Sequence, residues 1–457
     1  MSLQKFILKP GINKEGTDYS NKGGWFDSNL IRFRKGLPEK IGGWAKNTNN
    51  SSQSTCRALH AWVDLEITRY LGLGTTWKYY VKQGGTYNDI TPVRKTSTNS
   101  ITFAATNGSS TITATDSSHG AVTNDFVTIS VAVSLGGVVT AAVLNQEYQI
   151  TSVPSANTYT FVAKDTSGDE VTANSSDSGN GGSGVDGSYQ INVGLDSYVA
   201  SSGWGAGTWG ANTWGSVSAL TDANQLRLWS HDNFGEDLII NVRAGGVFYW
   251  DESSGLSSRA VALSSLSGAN LTPTKALFVL VSDIDRHVIC FGADPISGSS
   301  RTGAVDPMFI AWSDQENAAE WEPKSTNTAG SFRLSAGTSI IGALRARQET
   351  LVWTDTSMYS MSFVGQPFTF GVNLVNEGVG LVSPNAAVNS PKGVFWMDKK
   401  GFYTYTGNVN VLPCTVLNYV LNDFNEEQAY QVFGFLNKQF DEVGWFYCSS
   451  DSSVPNR

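Results

Sequence analysis

One repeated pattern limits what this chain can fold into: a short apolar strand, a turn, and a second strand that usually carries aromatic residues. The clearest copies are LGLGTTWKYYV (71–81), LIINVRAGGVFYWD (238–251), LVWTDTSMYSMSF (351–363) and VFWMDKKGFYTYT (394–406). Val352 and Phe395 are 43 residues apart, and Phe395 and Phe446 are 51 apart. A strand–turn–strand period of about 40–50 residues is typical of propeller blades. The pattern predicts an all-β chain with a β-propeller of about six blades, and a β-sandwich with chance spacing is the alternative.

Composition narrows the class of protein. The 457 residues are enough for two domains, or for one large domain with an insertion. Because only 16% of the residues are charged and 11% are aromatic, the chain can bury a large core and is not intrinsically disordered. A net charge of −9 disfavours a protein that wraps DNA phosphates with lysine and arginine. It remains compatible with a conduit past which DNA slides.

The repeat is interrupted between residues 93 and 226. Residues 98–175 are rich in Thr, Ser, Val and Ala and contain no Trp, which predicts an inserted small β module, a barrel or a sandwich. Residues 176–225 form a Gly-, Ser- and Trp-rich linker and loop. The remaining segments are an N-terminal arm with the first propeller strands (1–97) and the other blades (226–457). Either the last blade is incomplete or an N-terminal strand closes the ring; helical periodicity occurs only near 414–424.

Three tryptophans at a spacing of five are the first candidate contact site: Trp204, Trp209 and Trp214, each followed by glycine. Odd spacing would place successive indoles on opposite faces of a strand, so a half-buried strand explains them poorly. An aromatic site for a sugar or a peptide is one interpretation. A glycine-rich loop whose indoles anchor it to the propeller or to a neighbouring subunit is the other.

Three basic residues in LIRFRKGLPEK (30–40) are the second candidate: Arg32, Arg34 and Lys35. Apolar residues flank these charges, so the segment is consistent with a solvated edge strand. Contact with DNA or with an acidic partner subunit is the alternative.

No motif indicates catalysis. The two GxGxxG stretches, 179–184 and 205–210, lack a following helical pattern, and no cysteine or histidine has zinc-ligand spacing. The four cysteines, which include no CxxC pair, are predicted to be buried free thiols. Acidic pairs occur at Asp283 with Asp285, Asp314 with Glu316, and Glu426 with Glu427. Glycosidases use two carboxylates, but 40 acidic residues produce such pairs by chance. We therefore expect no catalytic residue, cofactor or metal, and no enzyme.

The N-terminal stretch KPGINKEGTDYSNKGGWFDSNLIRFRKGLPEKIGGW (9–44) resembles the opening of a family of virion proteins from tailed phages. These are the tail nozzle proteins of short-tailed phages, also described as packaged-DNA stabilisation or head-completion proteins. Two shorter stretches agree, IAWSDQENAAEWEP (310–323) and FDEVGWFYCSS (440–450). The segment from 111 to 163 resembles small β modules inserted in phage tail proteins.

The resemblance implies a structural role in the virion tail after synthesis in the host cytoplasm. It implies a ring, a homohexamer, that lies below the tail adaptor, prolongs the DNA channel, and retains and then releases the genome. The ring would carry a plug, needle, tail fibre or tailspike protein. Genomic DNA would pass through without sequence-specific binding, and no segment would span a membrane. The alternatives are a tail protein that binds a host glycan as receptor and, third, a glycan-cleaving propeller.

Overall fold

The computed structural model describes residues 9–198, 222–282 and 285–457. These residues form short antiparallel β-strands, so the all-β prediction is confirmed. The α-helices are α1 (Ala141–Leu144) and α2 (Leu417–Asp423), and 3₁₀ helices occur at Asp222–Asn224, Glu252–Ser254, Leu263–Ser265 and Glu426–Gln431. None of the helices in this described part of the chain is long and apolar enough to span a bilayer.

A hairpin comes first in the chain, followed by five four-stranded antiparallel sheets, numbered I to V, and one larger sheet between I and II. The hairpin consists of β1 (Ile31–Arg34) and β2 (Leu37–Lys40), and sheet I of β3 (Cys56–Val63), β4 (Arg69–Thr75), β5 (Tyr79–Gln83) and β6 (Thr86–Asp89). The larger sheet consists of β7 (Val93–Ser97), β8 (Thr102–Ala105), β9 (Thr111–Thr115), β10 (Phe126–Ser130), β11 (Glu147–Ser155), β12 (Thr158–Val162), β13 (Asp177–Asn180) and β14 (Asp186–Gln190).

The later strands continue this order. Sheet II consists of β15 (Trp229–Phe234), β16 (Asp237–Val242), β17 (Val247–Trp250) and β18 (Val261–Ala262). Sheet III consists of β19 (Phe278–Val281), β20 (Val288–Phe291), β23 (Phe309–Trp312) and β24 (Gly330–Arg333), with a small hairpin of β21 (Ile296–Ser297) and β22 (Ser300–Arg301) between its second and third strands. Sheet IV consists of β25 (Ile340–Arg345), β26 (Thr350–Thr354), β27 (Ser357–Gly365) and β28 (Thr369–Glu377). Sheet V consists of β29 (Ala387–Ser390), β30 (Gly393–Asp398), β31 (Gly401–Tyr405) and β32 (Val409–Val411), and a final hairpin of β33 (Phe433–Asn437) and β34 (Glu442–Phe446) follows.

A threonine turn connects the second and third strands in two of the sheets and explains part of the sequence repeat. In sheet I, the hydroxyl oxygen of Thr75 accepts a hydrogen bond of 2.9 Å from the backbone N–H of Lys78. In sheet IV, the hydroxyl oxygen of Thr354 accepts one of 2.9 Å from the backbone N–H of Ser357. Threonine favours such turns because its side chain replaces a backbone acceptor. The segments LGTTWKYY and LVWTDTSMY thus use the same device.

The chain divides into two compact units. Residues 50–196 and 222–269 form the first unit, with sheets I and II and the larger sheet; residues 9–49, 197–198 and 270–457 form the second, with sheets III to V. Within each unit, neighbouring sheets contact each other through their first strands, β3 with β15 in one and β25 with both β19 and β29 in the other. Each of the five sheets is thus an antiparallel meander that resembles a propeller blade.

Two buried tryptophans mark the core of sheets IV and V. Trp353 and Trp396 are fully buried, and their ring centroids are 5.5 Å apart. The indole N–H of Trp396 donates to the carbonyl oxygen of Gly380 at 3.1 Å. Such a bond satisfies the polar N–H of a buried indole. Alternation along β30 therefore fixes which face of sheet V points into the core.

The predicted count of about six blades is not confirmed. In the described residues the last repeat, which includes Phe446, is the two-stranded hairpin β33–β34 and not a four-stranded sheet. This hairpin packs against β29: the N–H of Gly434 donates to the carbonyl oxygen of Asn385 at 2.8 Å, and the indole N–H of Trp445 donates to that of Ala386 at 2.8 Å. The sequence spacing predicts a whole blade here, because the apolar strand and the turn of the hairpin match the first half of the repeat.

The larger sheet extends from Val93 to Gln190, a range that includes residues 98–175, where the sequence predicts an inserted module. Its strand order is β13-β8-β9-β12-β11-β10-β14-β7 around one apolar core. The polar, glycine-rich segment that resembles a linker in the sequence contributes β13 and β14. These strands find partners in β8 and β7, which their composition does not reveal.

A buried ion-pair network joins the larger sheet to sheet I within the first unit. The Nζ of Lys78 lies 2.8 Å from Asp89 Oδ2 and 2.5 Å from Glu147 Oε2, and its side chain is 3% exposed. Arg259 also pairs with Asp89, at 2.8 Å. Burial opposes ionisation of Asp89, but Lys78 and Arg259 outweigh it and lower the pKa of this carboxyl. The network thus binds β5, β6 and β11 together.

Candidate functional site

The arm that carries the basic candidates is bound to the C-terminal part of the second unit. The backbone N–H of Lys14 donates to the carbonyl oxygen of Thr415 at 2.9 Å, and the Nζ of Lys14 lies 3.7 Å from the ring centroid of Tyr419. The first turn of α2 has no side-chain cap of its own. Instead, Glu15 accepts a hydrogen bond of 2.6 Å from the N–H of Asn418, and a carboxylate is favourable at a helix N-terminus.

Arg32 faces the hairpin β33–β34. Its Nε lies 3.3 Å from Glu442 Oε1, and its guanidinium carbon lies 3.5 Å from the ring centroid of Phe440. The Arg32 side chain is 10% exposed. Planar guanidinium groups favour this combination of a carboxylate and an aromatic face. The acidic partner of Arg32 is therefore in its own chain.

Arg34 and Lys35 are more exposed. The Arg34 side chain is 57% exposed and lies 3.9 Å from Glu39 across the hairpin. Lys35 lies in the turn between β1 and β2, where it has a φ of 50°. The three basic residues therefore do not form one cationic surface, because one is used inside the chain.

The other sequence candidates are dispersed or lie outside the described residues. Trp204, Trp209, Trp214 and Asp283 lie outside them. Asp285 accepts from the hydroxyl of Ser282, and Asp314 accepts from the backbone N–H and the hydroxyl of Thr328. Glu316 lies 3.9 Å from Arg286. Glu426 and Glu427 begin a 3₁₀ helix.

Metal-binding groups and disulfides are absent from the described ranges. No group of three or more His, Cys, Asp or Glu residues is placed there to hold a metal ion. All four cysteines, Cys56, Cys290, Cys414 and Cys448, are free thiols, but only Cys290 and Cys448 are buried.

A cleft beside the hairpin β33–β34 is the candidate site. Its volume is about 620 Å³, within the ~300–1,000 Å³ that is usual for ligand pockets. The turns β25–β26, β29–β30, β31–β32 and β33–β34 line it, and all belong to the second unit. Its lining residues are Ala346, Arg347, Glu349, Asn389, Ser390, Pro391, Lys392, Gly393, Val394, Tyr405, Thr406, Gly407, Leu436 and Lys438. We call it the basic cleft.

Charge in the basic cleft is mainly positive. Arg347, Lys392 and Lys438 are exposed at its rim. Lys392 forms an ion pair with Asp441, whereas no described residue forms an ion pair with Arg347 or Lys438. A local cationic group in a chain with a net charge of −9 attracts anions to this part of the surface.

A carboxylate and a phenol lie deeper in the basic cleft. Glu349 accepts a hydrogen bond from the hydroxyl of Ser360 and is hydrogen-bonded to Tyr405. Burial, together with this bond and the charge of Glu349, raises the pKa of Tyr405 to about 12. Among the described residues that line the cleft, Glu349 alone has a carboxyl group, whereas most glycosidases need two. The basic cleft thus combines exposed cations at its rim with one carboxylate and one phenol.

The three cations occupy equivalent positions in successive repeats, which the sequence interpretation missed. Each lies in the turn between the first two strands of its sheet or hairpin: Arg347 after β25, Lys392 after β29 and Lys438 after β33. They are 45 and 46 residues apart in the sequence. Alignment of the repeats by their first turns would have revealed them, whereas the search for local basic clusters found only the arm.

A histidine pair lies between sheets I and II of the first unit. The Nδ1 of His231 lies 2.7 Å from the hydroxyl of Tyr79, and the His60 and His231 ring centroids are 5.0 Å apart. Burial, and to a smaller extent His60, lowers the pKa of His231 to about 3. His60 in turn lies 2.6 Å from the side-chain oxygen of Asn233. The rings are packed among aromatic residues, so we assign them to the core.

Comparisons with known proteins add little. No family model and no curated protein matches the chain. Among solved structures, it is similar to that of the phage phi92 endosialidase, with 11% identity and a TM-score of 0.24 over 92% of this chain and 67% of that chain. It is also similar to the extracellular domain of the one component system BT4673 from B. thetaiotaomicron, with 10% identity and a TM-score of 0.21 over 93% of this chain and 66% of that chain. At these TM-scores neither likeness carries weight for fold or function.

Proposed function

We propose that this chain is a structural protein of a phage tail, the nozzle subunit of a short-tailed phage. The observation that carries the proposal is the long N-terminal motif, 9–44, and its resemblance to the opening of that family. In this role the protein is not an enzyme. It forms a homohexameric ring in the virion tail, contacts the tail adaptor on one side, and carries a plug, needle, fibre or tailspike on the other.

The surface of the arm supports assembly with another subunit. Tyr19 is 90% exposed and Trp44 is 95% exposed, and Phe26, Leu30 and Leu37 are exposed as well. Large apolar side chains that are exposed together indicate a protein interface. The same arm is bound to α2 and to the hairpin β33–β34 by its own polar residues. These contacts hold the arm in place while its apolar side chains remain exposed.

Charge supports passage of DNA. A protein that neutralises phosphates with lysine and arginine binds DNA more tightly with each contact. A subunit with a net charge of −9 lacks the excess of cations for such binding, and Arg32 is engaged by Glu442. A wall of this composition would let the genome leave without strong attachment.

The test is the behaviour of virions that lack the protein. Particles assembled without this chain should package DNA and then lose it, as measured by nuclease-accessible DNA after purification. Particles that carry a conservative variant, Lys399→Arg, should retain it. Stable, DNA-filled particles in the absence of the protein would refute the nozzle role.

The basic cleft favours a second candidate function, a tail protein that binds a host glycan as receptor. Arg347, Lys392 and Lys438 converge on a cleft of ligand size, which a purely structural role does not require. Purified protein should then compete with the phage for adsorption to host cells. If adsorption is unchanged at saturating protein, this second function is wrong.

A further inference from the structure

We infer that the basic cleft binds a carboxylated oligosaccharide, a short glycan with uronic- or sialic-type acid groups. The inference deepens the second candidate function and rests on it for its biological role. All residues that line the basic cleft lie in the second compact unit of the chain, so no other subunit is needed to form it.

Repetition of the cations indicates a site for a repeating ligand. Arg347, Lys392 and Lys438 come from three consecutive first turns, and all three line the same cleft. A polymer with one negative charge per sugar presents charges in a similar series. Binding of several carboxylates by several cations increases affinity, because the later contacts form within one complex.

The cations differ in how available they are. Lys392 is held by Asp441, and the other acidic residue of that turn, Glu442, is paired with Arg32. The arm thus neutralises a carboxylate at the tip of the hairpin, next to Lys438. Arg347 and Lys438 are left to bind a ligand carboxylate, and an arginine can do so with two parallel hydrogen bonds.

Further polar groups in the basic cleft suit sugar hydroxyls. The carboxylate of Glu349 is an acceptor, and Asn389 and Thr406 provide further polar groups. Tyr405 offers an aromatic surface with a polar tip, which suits the mixed character of a sugar ring. Together with the cations, these groups favour an acidic glycan over a simple inorganic anion.

The size of the basic cleft favours a glycan over DNA. About 620 Å³ accommodates a few sugar rings. A cleft of this volume cannot enclose duplex DNA, whose major groove alone is about 12 Å wide. DNA would contact the rim cations only.

The experiment measures binding of tetragalacturonate to the full-length protein by titration calorimetry at low salt, with maltotetraose as the neutral control. Tetragalacturonate should bind and maltotetraose should not. The double variant R347A/K438A should weaken binding by about tenfold or more, whereas K399A should not. Lys399 is a matched control because it is an exposed lysine of sheet V in the turn at the other end of β30. Higher salt should weaken binding, because exposed charges are screened.

Three results would overturn the inference. Equal binding of both tetrasaccharides, or unchanged affinity of R347A/K438A, would show that the cations do not recognise the ligand. Tighter binding of a duplex oligonucleotide than of tetragalacturonate would assign the cations to DNA. The receptor role is tested separately: tetragalacturonate binding that R347A/K438A abolishes, without any loss of adsorption by virions carrying this variant, would support the site and refute the receptor function.

Discussion

Arg32 and Glu442 connect the N-terminal arm to the last hairpin, with 3.3 Å between Nε and Oε1 and the face of Phe440 against the guanidinium group. The contact explains why a basic strand occurs in a chain without other signs of nucleic-acid binding. It also connects the arm to the basic cleft, because the same hairpin turn carries Lys438. The arm therefore supports the hairpin that lines the basic cleft, and it also has exposed apolar side chains.

Loss of Arg32 should release the arm. Arg32→Ala removes the ion pair and the stacking on Phe440, which together stabilise the bound arm by about 1–2 kcal/mol. Chymotrypsin should then cleave at Tyr19, Phe26 or Trp44 severalfold faster than in the original protein. Arg34→Ala is the matched control, because Arg34 is mostly exposed. Equal cleavage rates for the two variants would show that the arm is held by other contacts.

Close packing at Gly434 should be essential for the last hairpin. A Cβ at this position would overlap Cγ2 of Val388 and lie 3.1 Å from Nε1 of Trp445. Gly434→Ala should therefore destabilise the protein by about 1–3 kcal/mol, measured as a shift in urea unfolding followed by tryptophan fluorescence. Gly43→Ala, whose Cβ meets nothing within 4 Å, should shift it little. A neutral result at Gly434 would place the hairpin farther from β29.

Acid should destabilise the first unit through His231. Folding lowers the pKa of this residue from 6.5 to about 3, so between these values the unfolded chain binds a proton that the folded chain does not. Stability should therefore fall as the pH decreases through this window, by about 1.4 kcal/mol for each pH unit. His231→Gln should lose less stability than the original protein between pH 7 and pH 4.5 in urea unfolding. An identical pH dependence would mean that His231 does not carry the effect.

Lys78 should matter more than any surface lysine. Lys78→Met leaves Arg259 as the cation that pairs with Glu147 and Asp89, and breaking a buried pair costs about 3 kcal/mol. Lys324→Met removes two ion pairs of an exposed lysine, so it should destabilise the protein much less, because surface ion pairs contribute little. Urea unfolding of both variants tests the comparison. It fails if the two variants are equally stable.

The sequence predicted local structure better than it predicted pairing. The strand–turn–strand repeat predicts the strands of the five sheets, because alternation is a local property, although it predicts about six blades. It does not predict that the last repeat is a hairpin of two strands, because the pattern of one strand, turn and strand is the same in a hairpin and in a four-stranded sheet. Asp177–Asn180 looks like a linker because its strand partner is far away in the chain. Arg32 looks free for the same reason: Glu442 lies at the other end of the sequence.

The basic cleft escaped prediction for a related reason. Its cations, Arg347, Lys392 and Lys438, are isolated in the sequence and become neighbours only because successive sheets present the same turn on the same side. Local clusters, such as the basic residues of the arm and the acidic pairs, are visible in the sequence. In the structure, however, residues such as Arg32 and Asp285 contact partners in the same chain. Aligning residues by repeat position, and not by local density, is the way to find such sites.

The nozzle role requires assembly into a ring that conducts DNA. Cryo-EM class averages of the purified full-length protein, alone and mixed with the tail adaptor of its virion, would reveal such a ring. We expect six-fold rings on the adaptor with an axial channel wide enough for a duplex, about 20 Å, a figure consistent with its ~12 Å major groove. Single, unassembled subunits in the presence of the adaptor would contradict it and would leave the glycan-binding function as the better explanation.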